Sequence, residues 1–282
     1  MKRARLTEVA ANGLLGAATV LVLVPLVGIF AVLLVRVAPL FTLPFITEPP
    51  RNGLKDGGIM PAALGTLLLM LGTAVLSLPV GVAAAVYLRE FAPDTRVTRL
   101  IRLAILNLAG VPSVVHGLFG LGIFVLLCGF GGSLLASWCT LALLVLPTVI
   151  TASEEALRAV PDTLREASDG LGATKRQTIV KVVLPAALPG ILTGAILAMG
   201  RAAGETAPIL FTGVAFFCPE VPRGVFDQFM ALSYHLYVTS TQVPNVPPAL
   251  PYATAAILIQ LVLATSAVAI VVRARFRKRA LT

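Results

Sequence analysis

Charged residues are scarce in this 282-residue chain: Asp, Glu, Lys and Arg make up 12% of it, against 57% apolar residues. A water-soluble domain cannot hide that much apolar surface, so lipid is the solvent for most of the chain. Acidic residues are scarcer than basic ones, 13 against 22, and the net charge is +9. Such an excess can serve nucleic-acid binding, but here the basic residues sit in short clusters between apolar runs, which argues against a nucleic-acid partner. Cysteine is limited to Cys128, Cys139 and Cys218, an odd number without metal-site or CxxC spacing, so neither a metal centre nor a disulfide framework is expected. Of the two histidines, His116 falls in an apolar run and His235 between runs, and nothing pairs them. Ser113 precedes His116 by three residues, yet no GxSG-type nucleophile turn accompanies it, so no catalytic residue is assigned. GxxxxGK[ST] is absent, and with it any ATP hydrolysis by this chain.

What is there is long uncharged runs. Gly13–Val35 spans 23 uncharged residues, enough to cross about 30 Å of hydrocarbon and longer than a signal-peptide core, so it reads as a retained first helix. A second run extends from Gly57 to Leu88. Between Leu103 and Ser153 no charged residue occurs for 51 positions, which fits two helices turned at Gly129-Phe130-Gly131-Gly132-Ser133. The expectation is an all-α membrane protein with six spans near 13–36, 60–88, 104–128, 134–152, 185–213 and 251–272.

Orientation follows from Lys and Arg. Lys2, Arg3, Arg5; Arg89, Arg96, Arg99, Arg102; Arg158, Arg165, Lys175, Arg176, Lys181; and Arg273, Arg275, Arg277, Lys278, Arg279 fall on one side. Only Arg36, Arg51, Lys55 and Arg223 fall on the other, with Arg201 inside a span. Both termini and residues 154–185 are therefore expected in the cytoplasm. The chain divides into residues 1–59 (first helix and outer loop), 60–272 (the core) and 273–282 (a basic tail). In the outer segment 214–250, Pro222 suits the first turn of a short helix carrying Phe226, Phe229, Met230, Leu236 and Tyr237 at roughly helical spacing.

The cytoplasmic stretch 154–185 has its own helix signals. Thr151 with Glu154, and Thr174 with Gln177, fit capping boxes. Pro161 suits a first turn, and Gly170 and Gly172 suit a corner that needs positive φ or close approach. Two short helices, from about Pro161 to Asp169 and from about Lys175, would make a knob. Within it stand Glu166-Ala167-Ser168, then three residues, Gly172, nine residues, and Val182-Val183-Leu184-Pro185. This resembles the EAA loop (EAA, three residues, G, nine residues, IxLP) by which ABC importer permeases dock on their ATPase, with Ser for the last Ala and Val for Ile. The resemblance implies that Glu166, Ala167, Ser168, Leu171 and Gly172 meet a nucleotide-binding subunit.

Beyond the knob, Arg201 and Glu205 are four residues apart and share one helix face. An Arg in mid-span costs roughly 2.5–3.5 kcal/mol to insert, so it should face protein or water. Gly190, Gly194, Ala198 and Ala202 form a small-residue stripe that invites close packing, and Pro208 is expected to kink the helix above. Arg201–Phe211, RAAGETAPILF, resembles the GETAP signature of PstA-type phosphate permeases, and Gly110–Gly120, GVPSVVHGLFG, is similar to another segment of that family. The likeness runs from about residue 60 to 272. It implies a type I (MetI-like) importer fold, inorganic phosphate as solute, and Arg201, Glu205 and Thr206 along its path. It also implies a homologous PstC-like permease, two PstB-like ATPase subunits that carry the ATP, a PstS-like phosphate-binding protein, and a bacterial or archaeal plasma membrane. The alternative is the same machine carrying another oxyanion such as sulfate or molybdate.

Overall fold

A computed structural model describes residues 2–37 and 42–279, so residues 280–282 of the expected tail lie outside the described residues. Helix α1 (Lys2–Val37) leads through a short α2 (Leu43–Thr47) and a hairpin pairing Pro50–Arg51 with Asp56–Gly57 to α3 (Met60–Val86). Then come α4 (Arg96–Ala109), α5 (Ser113–Gly120), α6 (Leu134–Arg158), α7 (Asp162–Gly170), α8 (Lys175–Thr178) and α9 (Leu184–Gly204). The chain ends through α10 (Ala207–Thr212), α11 (Leu232–Thr241) and α12 (Ala249–Arg279). Three π-helical stretches interrupt the regular helices, at Tyr87–Phe91, Leu121–Leu127 and Ile179–Val183. Among the described residues five helices are long and apolar enough to cross a membrane, and six spans result if α4 and the α5 segment count as one.

That third span is not the straight helix expected over 104–128. Its halves meet at 100° across Gly110-Val111-Pro112. Pro112 has no N–H to continue the helix and pushes Val111 out of the α region, so the chain turns there. Helix α4 starts at Thr95, whose hydroxyl accepts from Thr98 N at 3.3 Å, and it leaves Val97, Leu100, Leu103 and Leu106 exposed on its surface. The outer helix also differs from expectation. Residues 222–231 are irregular backbone with bends and one turn, Phe229 bridging to Val214, and α11 begins at Leu232, because Phe229 and Met230 are drawn into the core instead of lying along a helix face. Leu232 N donates to Thr66 Oγ1 of α3 at 2.8 Å, which anchors the start of α11 between α3 and α12.

The centre of the molecule is α6, packed against α3 on one side and α9 on the other. Small residues set these distances. A Cβ at Gly72 of α3 would lie 1.9 Å from the Trp138 ring, and one at Gly194 of α9 would lie 2.4 Å from Ala152. Ala198 and Ala202, the upper half of the expected stripe, are fully buried. In hydrocarbon, where apolar surface has nothing to flee, such close approach provides the van der Waals contact that holds helices together. Trp138 also donates Nε1–H to Leu68 O at 3.0 Å, so the α3–α6 contact carries a hydrogen bond in its centre. Helix α12 lies on α9, and α1 packs mainly on α12, presenting most of its apolar surface outward.

His235 on α11 is buried and its Nδ1 lies 3.2 Å from Thr254 Oγ1. Thr254 gives its own proton to Leu250 O, so it accepts from the imidazole, which is neutral. Burial pushes the His235 pKa down to about 4 from an ordinary 6.5. The unfolded chain therefore binds the extra proton first as pH falls, and stability present above about pH 6.5 is lost progressively toward pH 4, roughly 3 kcal/mol in all. Thermal unfolding in detergent is expected to show a falling Tm across that window, and His235→Asn to flatten the slope while lowering the plateau.

Candidate functional site

The residues singled out in the sequence fall in two places. The first is the knob made by α7 and α8 at the basic end of the bundle. Helix α6 runs unbroken to Arg158, so Thr151 lies in its interior and caps nothing. Nothing between Thr148 and Arg158 stops the helix, and Glu154 instead pairs with Arg102 at 3.0 Å and Arg158 at 3.5 Å. Pro161 then caps α7. At its far end Leu171 N bonds back to Ala167 O and Ala173 N to Ser168 O, both at 3.2 Å. Gly172 takes φ +78°, with nothing within 4 Å of a Cβ placed there, so the corner needs glycine for its backbone conformation and not for space. The capping box at α8 is complete: Gln177 N donates to Thr174 Oγ1, and Thr174 N donates to Gln177 Oε1 at 2.8 Å.

Of the sequence-predicted knob residues, Glu166, Ala167 and Gly172 are exposed, and Leu171 is 90% exposed at the tip. Ser168 differs: it turns inward, with Oγ 2.9 Å from Thr178 Oγ1, and closes α7 onto α8. Ser168 is thus a fastener inside the knob. Sequence reading also passed over Arg165, whose guanidinium bonds to Glu90 at the end of α3, and Ser233, which donates to Glu205 O at 3.0 Å. Arg165 adjoins the EAA triplet, which could have drawn attention to it. Ser233 lies in a turn-rich outer segment and gives no local signal.

The second place is the end of α9. The expected kink near Pro208 is a full break two residues earlier: α9 stops at Gly204, Glu205 is extended (ψ 130°), and α10 starts at Ala207 with Pro208 in its first turn. Proline is tolerated there because its missing N–H would have had no helical partner. Arg201 Nε donates to Glu205 Oε1 at 3.1 Å, with the Arg side chain 41% exposed and the Glu side chain 16% exposed. The outer guanidinium nitrogens of Arg201 have no protein partner among the described residues. Thr206 follows, half-buried, its side chain making no capping bond to α10. The three predicted residues therefore flank one helix break, Arg201 in the last turn of α9 and Glu205 and Thr206 within the break. On α5, Gly117 packs tightly on α10, its Cβ position 2.8 Å from Phe211, so the GVPSVVHGLFG segment is brought against the break.

Residues 77–280 match the family described as "Binding-protein-dependent transport system inner membrane component". The chain belongs to this family. It is 33% identical over 84% of its length to "Probable ABC transporter permease protein YqgI" of Bacillus subtilis (strain 168), covering 85% of that protein. It is 34% identical over 83% of its length to "Probable phosphate transport system permease protein PstA" of Methanocaldococcus jannaschii, covering 81% of it. Identity rises to 46% over 55% of the chain with "Phosphate transport system permease protein PstA 1" of Mycobacterium tuberculosis (strain CDC 1551 / Oshkosh), although the matched part spans only half of that relative. Among solved structures, the MetNI methionine ABC transporter is similar at TM-score 0.61 and 18% identity, over 76% of this chain and 94% of the other, a likeness of fold. The chain is thus a multi-pass permease component of an ABC importer, a transporter subunit and not an enzyme. Its family implies partner permease and ATPase subunits, with ATP used by the latter.

Gly172→Val forces a β-branched residue into left-handed backbone at a cost of about 1–2 kcal/mol, whereas Gly172→Asn is accommodated far more easily. Limited proteolysis of membrane vesicles is expected to cut the 170–174 corner faster in the valine variant and near the parental rate in the asparagine variant.

Proposed function

We propose that this chain is one of two homologous permeases of a phosphate importer in a bacterial or archaeal plasma membrane. In this reading both termini and the knob face the cytoplasm, two ATPase subunits grip the knob, and a phosphate-binding protein delivers the anion from outside. Relatives named as phosphate permeases over most of the chain support the solute. The matched Glu166–Gly172 spacing supports the docking role, and so does the bare Leu171 side chain at the tip. Burying that leucine in a partner cleft would contribute about 1.5–3 kcal/mol.

The observation that carries the reading is the Arg201–Glu205 pair at a helix break. A guanidinium held by one carboxylate, with its remaining donors free, can receive a phosphate oxygen through short charge-assisted bonds. Glu205 offsets part of the Arg201 charge, so the anion binds weakly enough to leave. A carboxylate also accepts a hydrogen bond from the P–OH of phosphate, which sulfate at neutral pH cannot offer. Thr206 adds a hydroxyl at the same break. Alternating access then follows from ATP-driven closure of the ATPases, movement of residues 161–180, and exposure of the α9 face first to one side and then to the other.

Uptake of labelled phosphate, sulfate and molybdate by the reconstituted complex tests this. Phosphate is expected to be accumulated in preference to the other two. Arg201→Gln should lower phosphate uptake about tenfold or more with the complex still assembled. Glu205→Gln should lower it too and narrow the margin over sulfate. Parental flux in both variants would reduce the pair to a packing salt bridge, and a preference for sulfate or molybdate would replace the solute.

A further inference from the structure

Arg165 stands immediately before Glu166 on α7, and its guanidinium is enclosed by acceptors from three parts of the chain. Nη2 donates to Glu90 Oε1 at 2.9 Å and to Leu157 O at 3.0 Å. Nη1 donates to Val160 O at 2.8 Å and to Asp162 Oδ1 at 2.9 Å. The Arg165 side chain is only 16% exposed and that of Glu90 only 10%. Glu90 belongs to the π-helical turn that ends α3, and Leu157 to the last turn of α6.

We propose that Arg165 is the positioning residue that makes α3 and α6 follow the knob when the knob moves. The knob joins the bundle in two unlike ways. Toward α9 the chain is helical without a gap from Lys175 through the Ile179–Val183 turn, and the Ser168–Thr178 bond closes the corner, so a push on α7 reaches α9 through continuous helix. Toward α6 the helix stops at Arg158, and residues 159–161 are turn and extended backbone ending in Pro161, which cannot donate a backbone bond across the junction. That link is a hinge and absorbs rotation. Arg165 spans it from the α7 side to carbonyls of the α6 end, and through Glu90 it engages α3, which has no chain connection to the knob. With Arg165 in place all three central helices are coupled to one lever. Without it, displacement reaches α9 while the hinge takes up the rest.

The residue type suits the task. Serving a carboxylate on one side and two carbonyls on another requires several donors fixed in a plane, which guanidinium supplies and the single ammonium of Lys does not. Burial of the pair makes the arrangement all-or-none, because removing one member strands the charge of the other. Neither Glu166 nor Leu171, the residues placed toward the ATPase, takes part, so docking and transmission are separable.

The inference rests on the reading of the knob as the ATPase contact, and the test separates the two. In proteoliposomes holding the full complex with its binding protein, Arg165→Lys and Glu90→Gln are compared with the parent for ATPase co-purification, ATP hydrolysis and uptake of inorganic phosphate. Co-purification should be unchanged, hydrolysis should stay within about twofold, and phosphate moved per ATP should fall about tenfold. A parental phosphate-per-ATP ratio in both variants would overturn the proposal, as would loss of assembly in both, since Arg165 would then merely hold the fold. If the parent complex itself moves another anion, the solute assignment fails, and the same ratio measured with that anion still decides the role of Arg165. If Glu166→Lys and Leu171→Asp leave ATPase binding intact, the docking reading fails on its own.

Discussion

Backbone polar groups inside an apolar layer need partners from the protein, and this constraint decides where the helices of this chain are allowed to break. The break at Glu205–Thr206 survives because other elements cover it. Ser233 donates to Glu205 O, and α5 packs on α10 through Gly117. The start of α11 is itself held by Thr66 of α3. Remove those covers and a carbonyl at the end of α9 would face hydrocarbon. The outer segment is therefore structural at this break, and the open face of the Arg201–Glu205 pair is shaped in part by α11 folding back beside it.

Close packing supplies the second half of the same argument. Helix α6 touches α3 and α9 through small residues, so neither neighbour can slide without meeting a side chain such as Trp138 or a backbone such as that of Ala152. Such interlocking resists sliding of one helix past another at mid-length, because interiors at native density are poorly compressible. The polar break lies beyond these contacts, at the end of α9 away from the knob. The soft element is the α6–α7 junction, and it is soft for a local reason, a proline after two non-helical residues.

Much of this was legible from the sequence because membranes impose strong rules. Uncharged runs located the five long apolar helices, and the spacing of Thr174, Gln177, Gly170 and Gly172 placed both knob helices and their corner. Arg201 and Glu205 met as helical spacing requires. Some of the misses arise because tertiary contacts outrank local pattern, and one because a proline was passed over. Pro112 turned a run read as one helix into two, because charge counts are blind to direction. Phe226 and Phe229 looked like a helix face, but Phe229 was claimed by the core beside Gly65. Thr151 and Glu154 matched a cap, yet α6 had no reason to stop there, and Glu154 served Arg102 instead. Ser168 sat in the docking motif and turned inward to Thr178. The partners of Phe229 and Glu154, Gly65 and Arg102, lie far off in sequence.

Two arginines of this chain show how environment, and not residue type, assigns a task. Arg165 has four protein acceptors and little exposed surface, so its hydrogen-bonding capacity is spent inside the fold and no solute can compete for it. Arg201 has one carboxylate and an open face, and its outer guanidinium nitrogens have no protein partner among the described residues. A guanidinium placed in a span at a cost of a few kcal/mol and then left half-used is a poor structural device. Arg102 lies between them, bonded to Leu88 O and Glu154 and fastening α4 to the ends of α3 and α6. Paired charges such as those of Arg165 and Arg102 fasten helix ends, whereas Arg201 keeps donors to spare at the end of α9.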